Sequence, residues 1–333
     1  MSNNMETNRR QLLSALGVAG ALAALGRAPS AFAQAPWPAR PVKLVMPHAP
    51  GGPTDVIARA IAAHVSRTLG QQVFVESRLG ASGNIGTEYV ARSAPDGYTA
   101  LYQSSVFAIV PSLFKHLAFD PMRSFAPVAL PANINVVLLA NHNLPVTGLA
   151  DFIQYLRANS GKLAYGSGGS GNITHLAVEV MLQAIGSSAV HVPYKGTAPA
   201  MVDLLGGQIQ FMLDAVNTAS PYVKDQRVRA IAVTGAQRSS LLPDVPTLAE
   251  AGLKIQPMAS WQMVLVPAGT PLAIVDTLNA AVNKATADAD LQRQFAAQGV
   301  QLQQSTPAQC AALLRSEVAN WARVARSAGV QPE

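Results

Sequence analysis

Two glycine-rich stretches hold the residues best suited to chemistry in this chain. The first is His48-Ala49-Pro50-Gly51-Gly52-Pro53-Thr54-Asp55. Before it, Val42 to Met46 reads as a buried strand, and Pro50-Gly51-Gly52-Pro53 breaks the chain. Thr54 stands where a helix N-cap is expected, and Val56, Ile57, Ile61 and Val65 follow at helical spacing. A glycine loop that opens a helix turns backbone N–H groups outward, which suits an anion. The second stretch, Gly166-Ser167-Gly168-Gly169-Ser170-Gly171, has the same grammar. It follows a strand expected over 162–165 and precedes a helix that Asn172 caps, running to about Ile185.

The expected ligand contacts are His48, Ala49, Pro50, Gly51 and Gly52 from the first loop, and Ser167, Gly168, Gly169 and Ser170 from the second. Gln103 and Ser104 join them from the end of a strand over 98–102, and Asp214 from the end of a strand over 209–213. Ser167 and Ser170 read as hydroxyl donors to a bound anion. Asp55 would repel that anion, but Arg59 four residues on draws it aside into a helical pair. Asp214 either accepts from a hydroxyl or ammonium of the ligand or caps the helix after it, and both readings stand.

Other chemistries fit less well. Gly166, Gly168 and Gly171 satisfy the dinucleotide fingerprint between a strand and a helix, which makes an exported dinucleotide-dependent oxidoreductase the alternative reading. Against it, the next strand ends in His191-Val192-Pro193-Tyr194-Lys195, with no acidic residue for a ribose hydroxyl. A phosphate-binding P-loop needs a lysine where Asn172 stands. A serine-hydrolase elbow needs G-x-S-x-G, which neither Ser167 nor Ser170 satisfies, so no nucleophile–base set is visible. The six histidines lack metal-ligand spacing. His175 and Glu179, four apart on one helix, read as a local pair. The expected catalytic residues, metals and cofactors are therefore none.

The elements that must position these groups alternate strand and helix, the pattern of doubly wound parallel sheets. A second strand is expected over 72–75, a glycine loop over 80–86, a helix over 87–93 and a further strand over 135–140. From Leu144 the pattern restarts, with strands over 189–193, 209–213 and 228–234. A last strand over 261–266 and two helices, 271–298 and 307–328, close the chain. The expected fold is two α/β domains with two crossovers, near 140 and 257: residues 34–139 with 258–333, and residues 140–257. Ligands then bind beyond the carboxyl ends of strands, between the domains.

Residues 1–33 read as an export signal of the twin-arginine type. Arg9-Arg10 precedes an apolar run from Leu12 to Leu25, and Ala31-Phe32-Ala33 makes a cleavage site before Gln34. The run is shorter than the roughly 20 residues that span a bilayer. Losing three arginines and one glutamate with this segment lowers the formal charge from +6 to +4. Lysine and arginine are scattered, which argues against nucleic acid as a partner. One cysteine, Cys310, excludes an intrachain disulfide and a thiolate zinc site.

The quoted motifs and several others resemble one family. Pro47-x-x-Pro50-Gly51-Gly52-x-x-Asp55-x-x-Ala58-Arg59, Gly83-Asn84-Ile85-Gly86, Pro95-Asp96-Gly97-Tyr98-Thr99 and Tyr165-Gly166-Ser167-x-Gly169-x-Gly171 are similar to signatures of the Bug receptors. So are Pro193-Tyr194-Lys195-Gly196, Asp203-Leu204-Leu205-Gly206-Gly207, Leu242-Pro243-Asp244-Val245-Pro246-Thr247 and Pro267-Ala268-Gly269-Thr270-Pro271. Bug receptors are the substrate-binding proteins of tripartite tricarboxylate transporters. The resemblance implies a type II-like Venus-flytrap protein of the periplasm, monomeric and without catalysis, that holds a small carboxylate between loops 48–52 and 167–170. It implies membrane transporter subunits as partners; a sensor role beside a membrane signalling protein is a further alternative. Three positions depart from the pattern: Leu79 replaces a proline, Met263 stands in place of a glycine and is expected to reshape the cleft, and His48 replaces an aromatic residue.

Overall fold

The computed structural model describes residues 37–48, 50–327 and 332. The chain divides into two compact units, Met1–Ala39 and Arg40–Glu333, and the second carries the fold. The export signal expected over 1–33, its cleavage site and the side-chain placement of Ala49 lie outside the described residues.

In the first half of the fold, β1 (Val42–Met46) pairs in parallel with β2 (Val73–Ser77) and β3 (Thr99–Ser104). Four of the five β1 residues are buried, as a central parallel strand requires. Between β1 and β2, α1 (Pro53–Leu69) starts two residues earlier than the hydroxyl at Thr54 suggested: Gly52 is its N-cap and Pro53 fills the first turn. Proline is favoured there because its missing N–H would have no helical partner anyway. After β2 come α2 (Asn84–Ala91), β3 and the short α3 (Val106–Ile109).

The chain then enters β4 (Phe125–Asn141), a 17-residue strand. The sequence suggested a strand only over 135–140, because Pro127 and Pro131 argue against a central strand. The structure accommodates them with register shifts against β9 (Ala259–Pro267) between Pro127 and Ala132. Partners of β4 change midway. Residues up to Asn135 pair with β9, and residues from Val136 pair with β7 (Phe211–Ala215) and β8 (Val228–Val233).

The second half repeats the first. β5 (Ala164–Ser167) pairs in parallel with β6 (Val190–Pro193) and with β7. Helices α4 (Leu149–Ala158), α5 (Ile173–Ile185), α6 (Thr197–Leu205) and α7 (Val216–Lys224) intervene. The chain returns where Thr234 N–H donates to the Val136 carbonyl at 2.8 Å and Met258 N–H donates to the Thr234 carbonyl at 2.8 Å. Both crossings thus meet at one level of the sheet. β9 then fills the place between β3 and β4, antiparallel to both.

At the C-terminal end, the single helix expected over 271–298 is two: α8 (Leu272–Thr286) and α9 (Ala289–Ala296). Asp288 separates them by accepting the Leu291 N–H at 2.9 Å, an N-cap. β10 (Val300–Leu302) adds to β4, and α10 (Pro307–Ser327) follows. On α10, buried Glu317 accepts from the indoles of Trp321 at 2.8 Å and Trp261 at 3.2 Å. Met263 is fully buried within the apolar core.

Candidate functional site

The first cluster forms where β1 and β3 end. Half-buried His48 lies with Nε2 2.6 Å from Gln103 Oε1, and that oxygen also accepts the Ser104 N–H at 2.8 Å. Gln103 Nε2 donates to Thr87 Oγ1 at 3.2 Å, and Thr87 donates to the Gly83 carbonyl at 2.8 Å. Burial pushes the His48 imidazole below its ordinary pKa, with the Gln103 contact opposing. Gln103 and Ser104 are buried, whereas Pro50 and Gly51 are exposed.

The Gly51 N–H has a partner within the chain. It donates to Asp55 Oδ2 at 2.9 Å, while Asp55 Oδ1 accepts from Arg59 Nε at 2.8 Å. The guanidinium is the main reason the Asp55 carboxyl is held below the usual carboxylate range. The expected pair with Arg59 therefore forms, and the same carboxylate also closes the loop.

The second cluster forms at the end of β5. Gly168 N–H donates to Thr174 Oγ1 at 2.9 Å, Gly171 N–H to His175 Nδ1 at 3.0 Å, and Asn172 Oδ1 caps α5 by accepting the Thr174 N–H at 3.0 Å. Ser167 is fully buried. Its Oγ lies 2.6 Å from His191 Nε2 and 3.2 Å from both the N–H and the carbonyl of Gly169. Ser170 is exposed. Opposite Gly168 sits Thr197, whose side chain favours the Asp214 carboxylate. Asp214 accepts from Thr218 at 2.9 Å and the Ala215 N–H at 2.8 Å. These bonds favour its carboxylate, but burial outweighs them and raises its pKa.

A stacked column lies beneath this loop. The rings of His175 and His191 are 3.9 Å apart and within 5° of parallel, and Tyr165 lies 4.9 Å from His191. Tyr165 and Ser167 share one face of β5, and the register Tyr165↔His191 brings both to the same imidazole. The helical pair expected of His175 and Glu179 is not made: Glu179 accepts instead from the Tyr165 hydroxyl. Burial, then the neighbouring His191, lowers the His175 pKa to about 4, and burial lowers that of His191.

An apolar contact joins the second loop to the other half of the fold. Gly171 has φ +73°, and a Cβ built on it would lie 2.5 Å from Leu113 Cδ2. Leu113 follows α3 in the first half of the fold, so the second loop is packed against by the other half. A cavity of about 930 Å³ elsewhere, lined by Asn135, Gln237, Gln256, Trp261, Gln301 and Glu317, contains none of the expected ligand contacts.

Sequence reasoning missed Thr87, Thr174, Thr197 and His191. His191 carries no local signal, since its approach to Ser167 depends on parallel strand pairing. The pairing also corrects the expectation that no nucleophile meets a base, because Ser167 and His191 do meet. A fully buried hydroxyl cannot, however, attack a substrate from solution.

Against this geometry, residues 57–330 match the model of the tripartite tricarboxylate transporter family receptor. The chain belongs to this family. Its fold is that of the two-domain periplasmic binding proteins: the structure of the periplasmic binding protein BugD is 35% identical, superposes with a TM-score of 0.71, and covers 89% of this chain and all of its own. An R. palustris protein solved with adipate is 35% identical, with a TM-score of 0.74 and coverage of 89% and 100%. MatC from Rhodopseudomonas palustris, solved with malate, is 34% identical, with a TM-score of 0.70 and coverage of 86% and 99%. The protein is thus a solute-binding receptor by family and fold. Among the described residues, no helix is long and apolar enough to cross a membrane.

Proposed function

We propose that this receptor captures a small carboxylate between its two glycine loops in the periplasm and delivers it to a membrane transporter, without turning it over. The observation that carries this reading is the repeated unit of strand, glycine loop and helix, one in each half of the fold, in a family whose members have been solved with adipate and malate. Each unit offers N–H groups and a helix N-terminus, both of which favour negative charge. On the first side His48, Ala49, Pro50, Gly51, Gly52, Gln103 and Ser104 contribute. On the second, Gly168, Gly169 and Ser170 line the site, Ser167 shapes the loop from below, and Asp214 takes a hydroxyl or ammonium of the ligand. The two lobes close about the level where β4 changes partners, as hinge proteins do.

The burial of Ser167 and the internal hydrogen bonds of His191 and Asp214 support a receptor without turnover. A dinucleotide is disfavoured because β6 ends without a carboxylate to hold a ribose hydroxyl.

A thermal-shift screen of mono-, di- and tricarboxylates, followed by calorimetry, tests the reading. Gly52→Asp sets a negative charge at the N-terminus of α1 and is expected to abolish carboxylate binding while the fold is kept. Unchanged affinity would remove the first loop from the site, and saturable consumption of the ligand would overturn the receptor role.

A further inference from the structure

We propose that His175 and His191 are positioning residues for ligand binding: as a stacked pair of neutral imidazoles they hold the second loop in its ligand-ready shape, and a proton on the pair releases it. The inference rests on the receptor reading above and extends it to residues beneath the loop.

The geometry fixes the protonation of His175. Its Nδ1 accepts the Gly171 N–H at 3.0 Å, so that nitrogen carries no proton and the ring is the Nε2–H tautomer. A proton on Nδ1 would set donor against donor and free the Gly171 amide. At the other end of the loop, His191 Nε2 meets Ser167 Oγ, which in turn bridges the N–H and carbonyl of Gly169. The two rings therefore grip Gly169 and Gly171 from one stack. Two imidazolium ions 3.9 Å apart and buried would repel strongly.

The groups that face the stack supply no compensating negative charge. From β5, Tyr165 lies under the rings and donates its hydroxyl to Glu179. From β7, Phe211 stacks on Tyr165, and Asp214 is held by Thr218, Ala215 and Thr197. From α10, which packs on α5, Glu317 is held by two indoles. Leu113 covers Gly171 from the other half. Burial accordingly depresses both histidines, His175 to about 4. A ring released to solvent titrates near its ordinary value of about 6.5, so acid between these two values favours the released loop.

The test uses the full chain and two variants. His175→Asn keeps an acceptor near the position of Nδ1 but does not titrate, whereas His175→Leu removes the acceptor. Calorimetry with malate and adipate at pH 7.5 and 5.5 is expected to show His175→Leu at least tenfold weaker than wild type at both. His175→Asn should lie within threefold of wild type at pH 7.5. The affinity ratio of wild type to His175→Asn should fall at least threefold on going to pH 5.5, since the ligand's own titration cancels in that ratio. Nitrogen NMR of the wild type should report the Nε2–H tautomer at position 175 and a Gly171 amide signal that moves with the imidazole titration. A pH-independent ratio, or a proton on Nδ1 at pH 7.5, would overturn the inference. If His175→Leu does not fold, the Asn ratio decides. If no carboxylate binds the wild type, the receptor reading fails and the NMR signals alone decide the role of the histidines.

Discussion

The two glycine loops open their helices alike but are tied down by different chemistry. In the first, the Gly51 N–H is held by Asp55, an anion anchored by Arg59. In the second, the Gly168 and Gly171 N–H groups are held by a threonine hydroxyl and a neutral imidazole. A carboxylate ligand arriving at the first loop meets a resident negative charge, whereas at the second it meets neutral dipoles. The first loop is therefore tied by an ion pair and the second by neutral groups, one of which is a titratable imidazole.

The largest expected effect concerns packing at the second loop. Gly171→Ala must adopt a left-handed backbone, at about 1–2 kcal/mol, and must push Leu113 aside, at about 1–3 kcal/mol for an overpacked site. Melting and calorimetry should show the combined loss. Leu113→Ala in the same chain should recover the packing part but not the backbone part. Simple additivity of the two substitutions would mean that Leu113 does not seat this loop.

Acid should separate the loops next. His175 titrates lower in the folded chain than in the unfolded one, so its contribution is complete above about 6.5 and is lost as pH falls from there to about 4. Each such buried histidine removes about 1.4 kcal/mol of stability per pH unit within that window. Asp55 has the opposite sign of charge and a lowered pKa, so its contribution is complete above the ordinary carboxylate value and is lost only as pH falls from there through its lowered value. Melting curves from pH 7.5 to 4, compared between wild type and His175→Asn, measure the difference. A variant with the same slope as wild type would break the contrast between the loops.

The smallest effect belongs to the first loop. Asp55→Asn keeps an acceptor for Gly51 but removes the charge paired with half-exposed Arg59. An ion pair of that exposure is worth under about 1 kcal/mol, so the melting point should move little. Carboxylate affinity should rise about fivefold, the equivalent of removing a repulsion of about 1 kcal/mol. Weaker binding would show that Asp55 positions the loop more than it repels the ligand.

Much of the framework could be read from residue order. β1, the helix after each glycine loop and the Asn172 cap appear where apolar runs and turn residues placed them, whereas β5 and β7 lie two residues later than expected, so Ser167 and Asp214 belong to strands. The first half of β4 did not, because Pro127 and Pro131 mask a strand that survives through register shifts. β10 was missed because three residues carry too little pattern to be distinguished from a loop. Among the site residues, Gln103 meets His48 at the end of β3, and the Ser104 N–H bonds to Gln103. The role of Ser167 changed: its side chain points into the stack beneath the loop and is fully buried.

Sequence alone determined the repeated unit of strand, glycine loop and helix, since local backbone preferences of glycine, proline and asparagine act over a few residues. It also determined the family likeness that the match over residues 57–330 bears out. Only the tertiary structure decided which groups occupy the loop amides. Parallel pairing of β5 with β6 brings His191, 24 residues away, under Ser167. Packing across the two halves then sets Leu113, 58 residues from Gly171, against a position where no side chain fits. Contacts of that kind depend on where whole elements come to rest, and no local pattern records them.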